Sequence, residues 1–249
     1  MFAPKSLTTI DRDYRRGDKG GKTKLIQEWL SLHGFGLVLD GDFGPATESA
    51  VRAFQSRYLS LSDGVVTTTV FAALAKPMTD ALKPISMPGS ALGALVAAHA
   101  RQHLAQHPRE LGGQNLGPWV RLYMKGNEGP DWPWCAGFAC CMLEKACGAL
   151  DTTAPIVSSY SSSELATRAR ERGILVKGSN PADKRRVGPG SFFLVPGTET
   201  PYKHVGIVES VKGEVFCTIE GNTNDEGTHN GYEACQNTRT YAKYDFISL

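Results

Sequence analysis

The sequence predicts an α+β protein in two parts: a small three-helix domain, then a larger domain in which one helix packs on an antiparallel sheet. Three observations predict it. A Pro/Gly-broken stretch, MTDALKPISMPGS, lies between Met78 and Ser90 and follows Pro77, and boundaries fall in such segments. Before it, apolar residues recur at helical spacing between glycine-rich turns. After it, a small-residue helix is followed by two alternating strand patterns. The boundaries are residues 1–76 for the first domain, 77–91 for a linker and 92–249 for the second domain.

In the first domain, Leu25, Ile26, Trp29, Leu30 and Leu32 mark a helix that Gly34 stops. Asp40-Gly41-Asp42-Phe43-Gly44 is a turn cluster, and Pro45 then opens a helix whose buried stripe is Ala50, Val51, Phe54 and Tyr58. A second Asp-Gly pair at 63–64 leads to Thr67, the N-cap of a third helix ending near Leu74. No internal repeat is visible.

Composition narrows the function. Apolar residues make up 41% and charged residues 21% of 249, so a core forms and wholesale disorder is excluded. A net charge of +2 with no basic run argues against a nucleic-acid partner. The longest apolar stretch, Ala91 to Ala98, is far short of the ~20 residues that span a bilayer, so no membrane partner is expected. The N-terminus MFAPKSLTTIDRDYRR has no apolar run or cleavage site, and no secretory signal is expected. A monomer made in the cytoplasm is the expectation, acting elsewhere only after release or delivery.

Six cysteines at 135, 140, 141, 147, 217 and 235 are too sparse for a disulfide scaffold and form no CxxC pair for zinc. His99, His103 and His107 stand four apart on a predicted helix, but no acidic or thiol partner completes a metal set. They are read as packed at the domain surface or solvated. No metal and no cofactor are predicted.

The chemistry-bearing residues lie further on. In Trp132-Pro133-Trp134-Cys135-Ala136-Gly137-Phe138, the proline forbids helix before Cys135 and the small residues after it favour one, which Gly148 ends. Cys135 therefore falls at a helix N-terminus, where peptide dipoles and unpaired N–H groups lower a thiol pKa and can hold an oxyanion. Cys140, Cys141 and Cys147 lie deeper in that helix and read as small apolar residues. A thiolate nucleophile needs a base, and the base an orienting group. His204 opens the alternating run to Val211, Lys212-Gly213 turns, and Glu214 to Asn222 returns as a second strand. That hairpin brings His204 near Glu220 and Asn222.

The register of the hairpin is itself predictable. A plain Lys212-Gly213 two-residue loop would set His204 opposite Gly221, turning Glu220 and Asn222 to the other face. Joining His204 to Glu220 therefore requires an odd-length connection or a β-bulge, unless the strand ends before Glu220.

Two resemblances follow. Gly17-Asp18-Lys19-Gly20, Leu25-Ile26-Gln27-Glu28-Trp29-Leu30, Asp40-Gly41-Asp42-Phe43-Gly44-Pro45, Ala50-Val51-Arg52-Ala53-Phe54-Gln55 and Asp63-Gly64-Val65-Val66 closely resemble the peptidoglycan-binding type 1 module over Arg16 to about Lys76. This implies cell-wall peptidoglycan as the partner. Trp134-Cys135-Ala136-Gly137-Phe138, His204-Val205-Gly206-Ile207-Val208 and Ile219-Glu220-Gly221-Asn222 resemble the CHAP family of cysteine, histidine-dependent amidohydrolases and peptidases. It is related to NlpC/P60 and papain-like enzymes. That resemblance implies a papain-like fold, with Cys135 as nucleophile, His204 as base, Glu220 as orienting residue and Asn222 assisting.

Some relatives carry an acidic calcium loop before the nucleophile, but Lys125 to Asp131 has too few spaced carboxylates to imply it. The polar run 221–227 suits a loop at a cleft edge. The whole then looks like a peptidoglycan hydrolase cutting an amide bond, as N-acetylmuramoyl-L-alanine amidase or endopeptidase. Its wall-binding module placed first resembles modular phage or prophage endolysins. An injected toxin effector, an autolysin and an inactive wall-binding protein are the alternatives. A zinc carboxypeptidase would need clustered ligands, and His204 and His229 stand without them.

Overall fold

A computed structural model describes residues 3–224 and 230–249. Chain contacts divide it into two compact units: residues up to Asp80 with Glu110–Gly129, and Ala81–Arg109 with Pro130–Leu249. Residues 110–129, which the sequence boundary assigns to the second domain, thus pack in the first. The predicted linker 77–91 is helical at its start, because Met78 and Ala81 are fully buried.

The first unit holds α1 (Lys5–Thr8), α2 (Gly21–Leu32), α3 (Pro45–Tyr58) and α4 (Thr68–Leu74), with α5 (Lys76–Leu82) beginning in it. Pro45 opens α3, and the Thr67 hydroxyl accepts from Val70 N at the start of α4. Ile26, Trp29, Leu30, Val51, Phe54 and Phe71 form the core. The two Asp-Gly turns are locked in the same way, each by a buried glutamine on the preceding helix. Gln27 accepts from Gly41 N at 2.8 Å and donates to Asp40 at 2.8 Å. Gln55 accepts from Gly64 N at 2.9 Å and donates to Asp63 at 2.7 Å. Both glycines have left-handed backbone, φ 71° and 77°.

The inserted segment carries α7 (Pro118–Tyr123). Trp119 meets Trp29 edge-on with ring centroids 6.2 Å apart. Arg121, largely buried, donates to both carboxylate oxygens of Glu28 on α2 and to Glu128 at 2.8 Å. Glu28 is 2% exposed, so losing its cation would leave a buried charge unpaired, which costs about 3–5 kcal/mol.

The second unit holds α6 (Leu92–Leu104), α8 (Cys135–Ala149), α9 (Ser162–Glu171) and α10 (Pro181–Lys184). With them are β1 (Leu175–Lys177), β2 (Phe192–Pro196), β3 (Tyr202–Lys212), β4 (Val215–Thr223), β5 (Glu233–Thr240) and β6 (Asp245–Ile247). The strands form one antiparallel sheet in the order β1-β6-β2-β3-β4-β5. Helices α8 and α6 pack against each other and against β3 and β4, giving the predicted α+β arrangement. His99 and His103 are both buried, deeper than the surface packing expected of them. Burial, then the nearby Lys145 and His99, holds His103 down to about 3, so its ring is neutral. His107 is exposed.

No helix among the described residues is long and apolar enough to cross a membrane. His229 and residues 225–227 of the predicted loop lie outside the described residues, while 221–223, expected as loop, are the end of β4.

Candidate functional site

Helix α8 begins at Cys135, directly after Pro133-Trp134. The side chain is 5% exposed. Burial by itself would push the thiol up. His204 opposes it through a hydrogen bond and charge, and the backbone N–H groups of Val205 and Ala136 add to that, so the pKa falls below the ordinary thiol value. Cys140 instead points its thiol at Ser159 O, 3.4 Å away, and all six cysteines are unbridged.

The hairpin carries a bulge. Lys212 pairs with Val215 across a Gly213-Glu214 turn, one residue later than the simple loop considered from sequence. Ser210 pairs with Cys217, and the register then slips so that Val208 faces Thr218 and Ile207 faces Ile219. Glu209 is the extra residue. Extending this register sets His204 opposite Asn222 and Gly206 opposite Glu220, in one side-chain phase. The shift expected from sequence is therefore present, made by a bulge.

Its result is a chain of contacts. His204 is fully buried, and its Nε2 lies 3.0 Å from Glu220 Oε2. That bond occupies Nε2, so Nδ1 is the other nitrogen of the ring. Burial disfavours the imidazolium, but hydrogen bonds and charges from Cys135 and Glu220 overcome it and raise the His204 pKa to about 9. Burial likewise opposes ionisation of Glu220, and His204 and Arg239 more than reverse this, lowering it to about 2. The thiol is thus lowered and the imidazole raised, each by the other, the direction that favours a thiolate–imidazolium pair.

Two glycines make room. A Cβ on Gly206 would stand 2.5 Å from Phe193 Cε1 and 2.8 Å from Glu220 Cγ. One on Gly221 would stand 2.7 Å from the Trp134 ring. The motif glycines are thus where side chains cross the backbone.

Asn222 is buried and sits in a second bulge, where Glu220 pairs with Cys235 but Thr223 pairs with Glu233. It takes left-handed backbone, φ 58°, and its amide donates to Asn230 at 3.5 Å. The structure thus brings together Cys135, His204 and Glu220, while the hydrogen bond given for the Asn222 side chain runs to Asn230.

Sequence reasoning missed Arg239 on β5. It donates from Nε to Glu220 Oε1 at 2.7 Å and from a terminal nitrogen to Oε2 at 2.8 Å. Thr218 also donates to Oε1. The available signal was chemical: a carboxylate inside a sheet needs a cation, and Arg239 is the one basic residue of the stretch 233–240. Glu128, in the stretch considered for calcium, accepts from Arg121 and from Gly117 N at 2.8 Å. Among the described residues no three His, Cys, Asp or Glu side chains group to hold a metal ion.

Fold and site together define a two-part protein: a helical module joined to an α+β unit with a buried cysteine–histidine–glutamate chain. Residues 19–74 match the family described as "Putative peptidoglycan binding domain", and residues 125–222 match the "CHAP domain" family. The chain carries a peptidoglycan-binding type 1 domain followed by a CHAP domain. A solved structure of a fused Zn-dependent amidase/peptidase/peptidoglycan-binding domain-containing protein from Clostridium acetobutylicum ATCC 824 is 29% identical. The match covers 37% of this chain and 43% of that one, less than half its length, with a TM-score of 0.26. No curated protein matches the chain. The two domains support a peptidoglycan hydrolase.

Proposed function

We propose that the protein cleaves an amide bond of peptidoglycan with Cys135 as nucleophile, His204 as acid and base, and Glu220 as the residue that orients His204. The observation that carries this is Cys135 at the first residue of α8, electrostatically coupled to a buried His204 whose Nε2 lies 3.0 Å from Glu220 Oε2.

The steps follow from that arrangement. The thiolate attacks the amide carbonyl carbon, and the oxygen's charge is met by first-turn N–H groups of α8. The His204 imidazolium gives its proton to the departing amine nitrogen as the C–N bond breaks, leaving a thioester on Cys135. Neutral His204 then takes a proton from water, whose oxygen attacks the thioester and releases the carboxylate. The returned proton and thiolate restore the pair. Glu220 remains ionised throughout.

This chemistry is the same for the N-acetylmuramoyl-L-alanine bond and for a peptide bond of the stem or cross-bridge. The wall-binding domain supports peptidoglycan as the partner, and its position before the catalytic domain supports an endolysin. The test is Cys135→Ala: wall lysis is lost while wall binding and the melting temperature stay at parental values. A variant that still lyses walls removes Cys135 from the mechanism.

A further inference from the structure

We propose that Arg239 is a positioning residue of this site, fixing Glu220 as a carboxylate behind His204 so that the proton of the Cys135–His204 pair stays on the imidazole. The proposal rests on the reading of Cys135, His204 and Glu220 given above.

The geometry is a closed fork. Arg239 places one nitrogen on each oxygen of Glu220, at 2.7 and 2.8 Å, the bidentate arrangement in which guanidinium and carboxylate fit best. Two rings hold the guanidinium: Phe193, 5.1 Å from its carbon to the ring centroid, and Tyr244, at 5.6 Å. A third nitrogen donates to the Tyr244 hydroxyl at 3.2 Å. Arg239 therefore has little freedom to turn away.

Its partner has no exposure at all. Each Glu220 oxygen accepts two bonds, Oε1 from Thr218 and Arg239, Oε2 from His204 and Arg239. Without the cation, a carboxylate this buried either takes up a proton or swings from His204. Either event releases the imidazole from its orientation. A lysine keeps the charge but offers no planar fork.

The titratable groups meeting here are Cys135 from α8, His204 from β3, Glu220 from β4, Arg239 from β5 and Tyr244 just before β6. Removing the fixed positive charge raises the proton affinity of Glu220, and a protonated or displaced Glu220 no longer supports the imidazolium that lowers the Cys135 thiol, so the midpoint of thiolate formation moves upward.

The experiment uses the full chain with Arg239→Met, Arg239→Lys, Glu220→Gln and the Met/Gln double variant. Two quantities are read: the lysis rate on purified peptidoglycan, and the pH midpoint of iodoacetamide alkylation at Cys135, followed by peptide mass spectrometry. Arg239→Met is expected to lose ~10–100-fold in lysis, the range typical of partners that orient a reacting group. Its alkylation midpoint moves up by about half a unit or more, as loss of a nearby charge requires. In the Glu220→Gln background the same change costs little further lysis. Arg239→Lys keeps the parental midpoint and loses lysis several-fold; it carries the test alone if Arg239→Met does not fold.

An unmoved midpoint in folded Arg239→Met, an equal loss in both backgrounds, or parental lysis by Arg239→Lys each overturns the proposal. Failure of the underlying reading looks different: a Cys135→Ala protein that still lyses walls, whatever Arg239 does to alkylation.

Discussion

Gly206→Ala is a one-carbon perturbation aimed at the crossing of β3 and the Glu220 side chain. The added Cβ would lie 2.5 Å from Phe193 Cε1 and 2.8 Å from Glu220 Cγ. Restoring ordinary contact needs shifts of about 0.9 Å and 0.6 Å respectively. Phe193 is fully buried among His204, Phe216 and Tyr244, so it cannot retreat cheaply. Overpacking of this kind costs about 1–3 kcal/mol. Against a typical stability of about 5–15 kcal/mol, the variant stays almost wholly folded. Activity falls for a different reason. A Glu220 carboxylate displaced by about 0.6 Å cannot keep bonds to His204, Thr218 and both Arg239 nitrogens, since bonds near 3.0 Å fail by about 3.6 Å. Misplacement on this scale costs about 10²-fold in rate. Urea unfolding gives the first quantity and turbidity loss of purified walls the second. Gly188→Ala is the control, having nothing within 4 Å of the new Cβ, and should stay within about 0.5 kcal/mol of the parent. A Gly206→Ala protein with parental stability and parental lysis would refute the reasoning.

Lysis should rise with pH as Cys135 loses its proton, from below the ordinary thiol range, and fall through about pH 9 as His204 loses its own. The matching stability terms have opposite signs. That of His204, raised from 6.5 to about 9, is full below 6.5 and fades as pH climbs through about 9. That of Glu220, lowered from 4.5 to about 2, is full above 4.5 and fades as pH drops through about 2. A lysis rate still climbing past pH 10 would contradict the ion pair. Deleting residues 1–84 strips Trp29 and Glu28 from Trp119 and Arg121, so a lower melting temperature and losses of activity on both intact walls and soluble muropeptides are predicted. A truncated protein that melts like the parent and loses only wall activity would count against this.

Much of the site was readable because local chemistry dictates it. Pro133 followed by small residues can only start a helix near Cys135, and Pro45 and Thr67 mark their helices in the same way. The two-residue side-chain period even demanded a register shift between His204 and Glu220, met by the bulge at Glu209. What stayed hidden depends on contacts distant in sequence. Arg239 lies 19 positions beyond Glu220, and Arg121 lies 93 beyond Glu28. No local pattern pairs such residues; only burial of the carboxylates on folding creates the demand for a cation. The placement of residues 110–129 was hidden for the same reason, since the Gly112-Gly113 and Gly129-Pro130 breaks that flank the segment read as ordinary loops. The paired Gln27 and Gln55 locks escaped notice because their spacings to Gly41 and Gly64 differ, 14 residues against 9.

The most direct test of the account is mass spectrometry of purified peptidoglycan digested by the parent protein and by Cys135→Ala. The account predicts fragments from the parent that carry a new amine and a new carboxylate at one amide position, and none from Cys135→Ala. Products cut at a glycosidic bond, or the same amide products from Cys135→Ala, would contradict it.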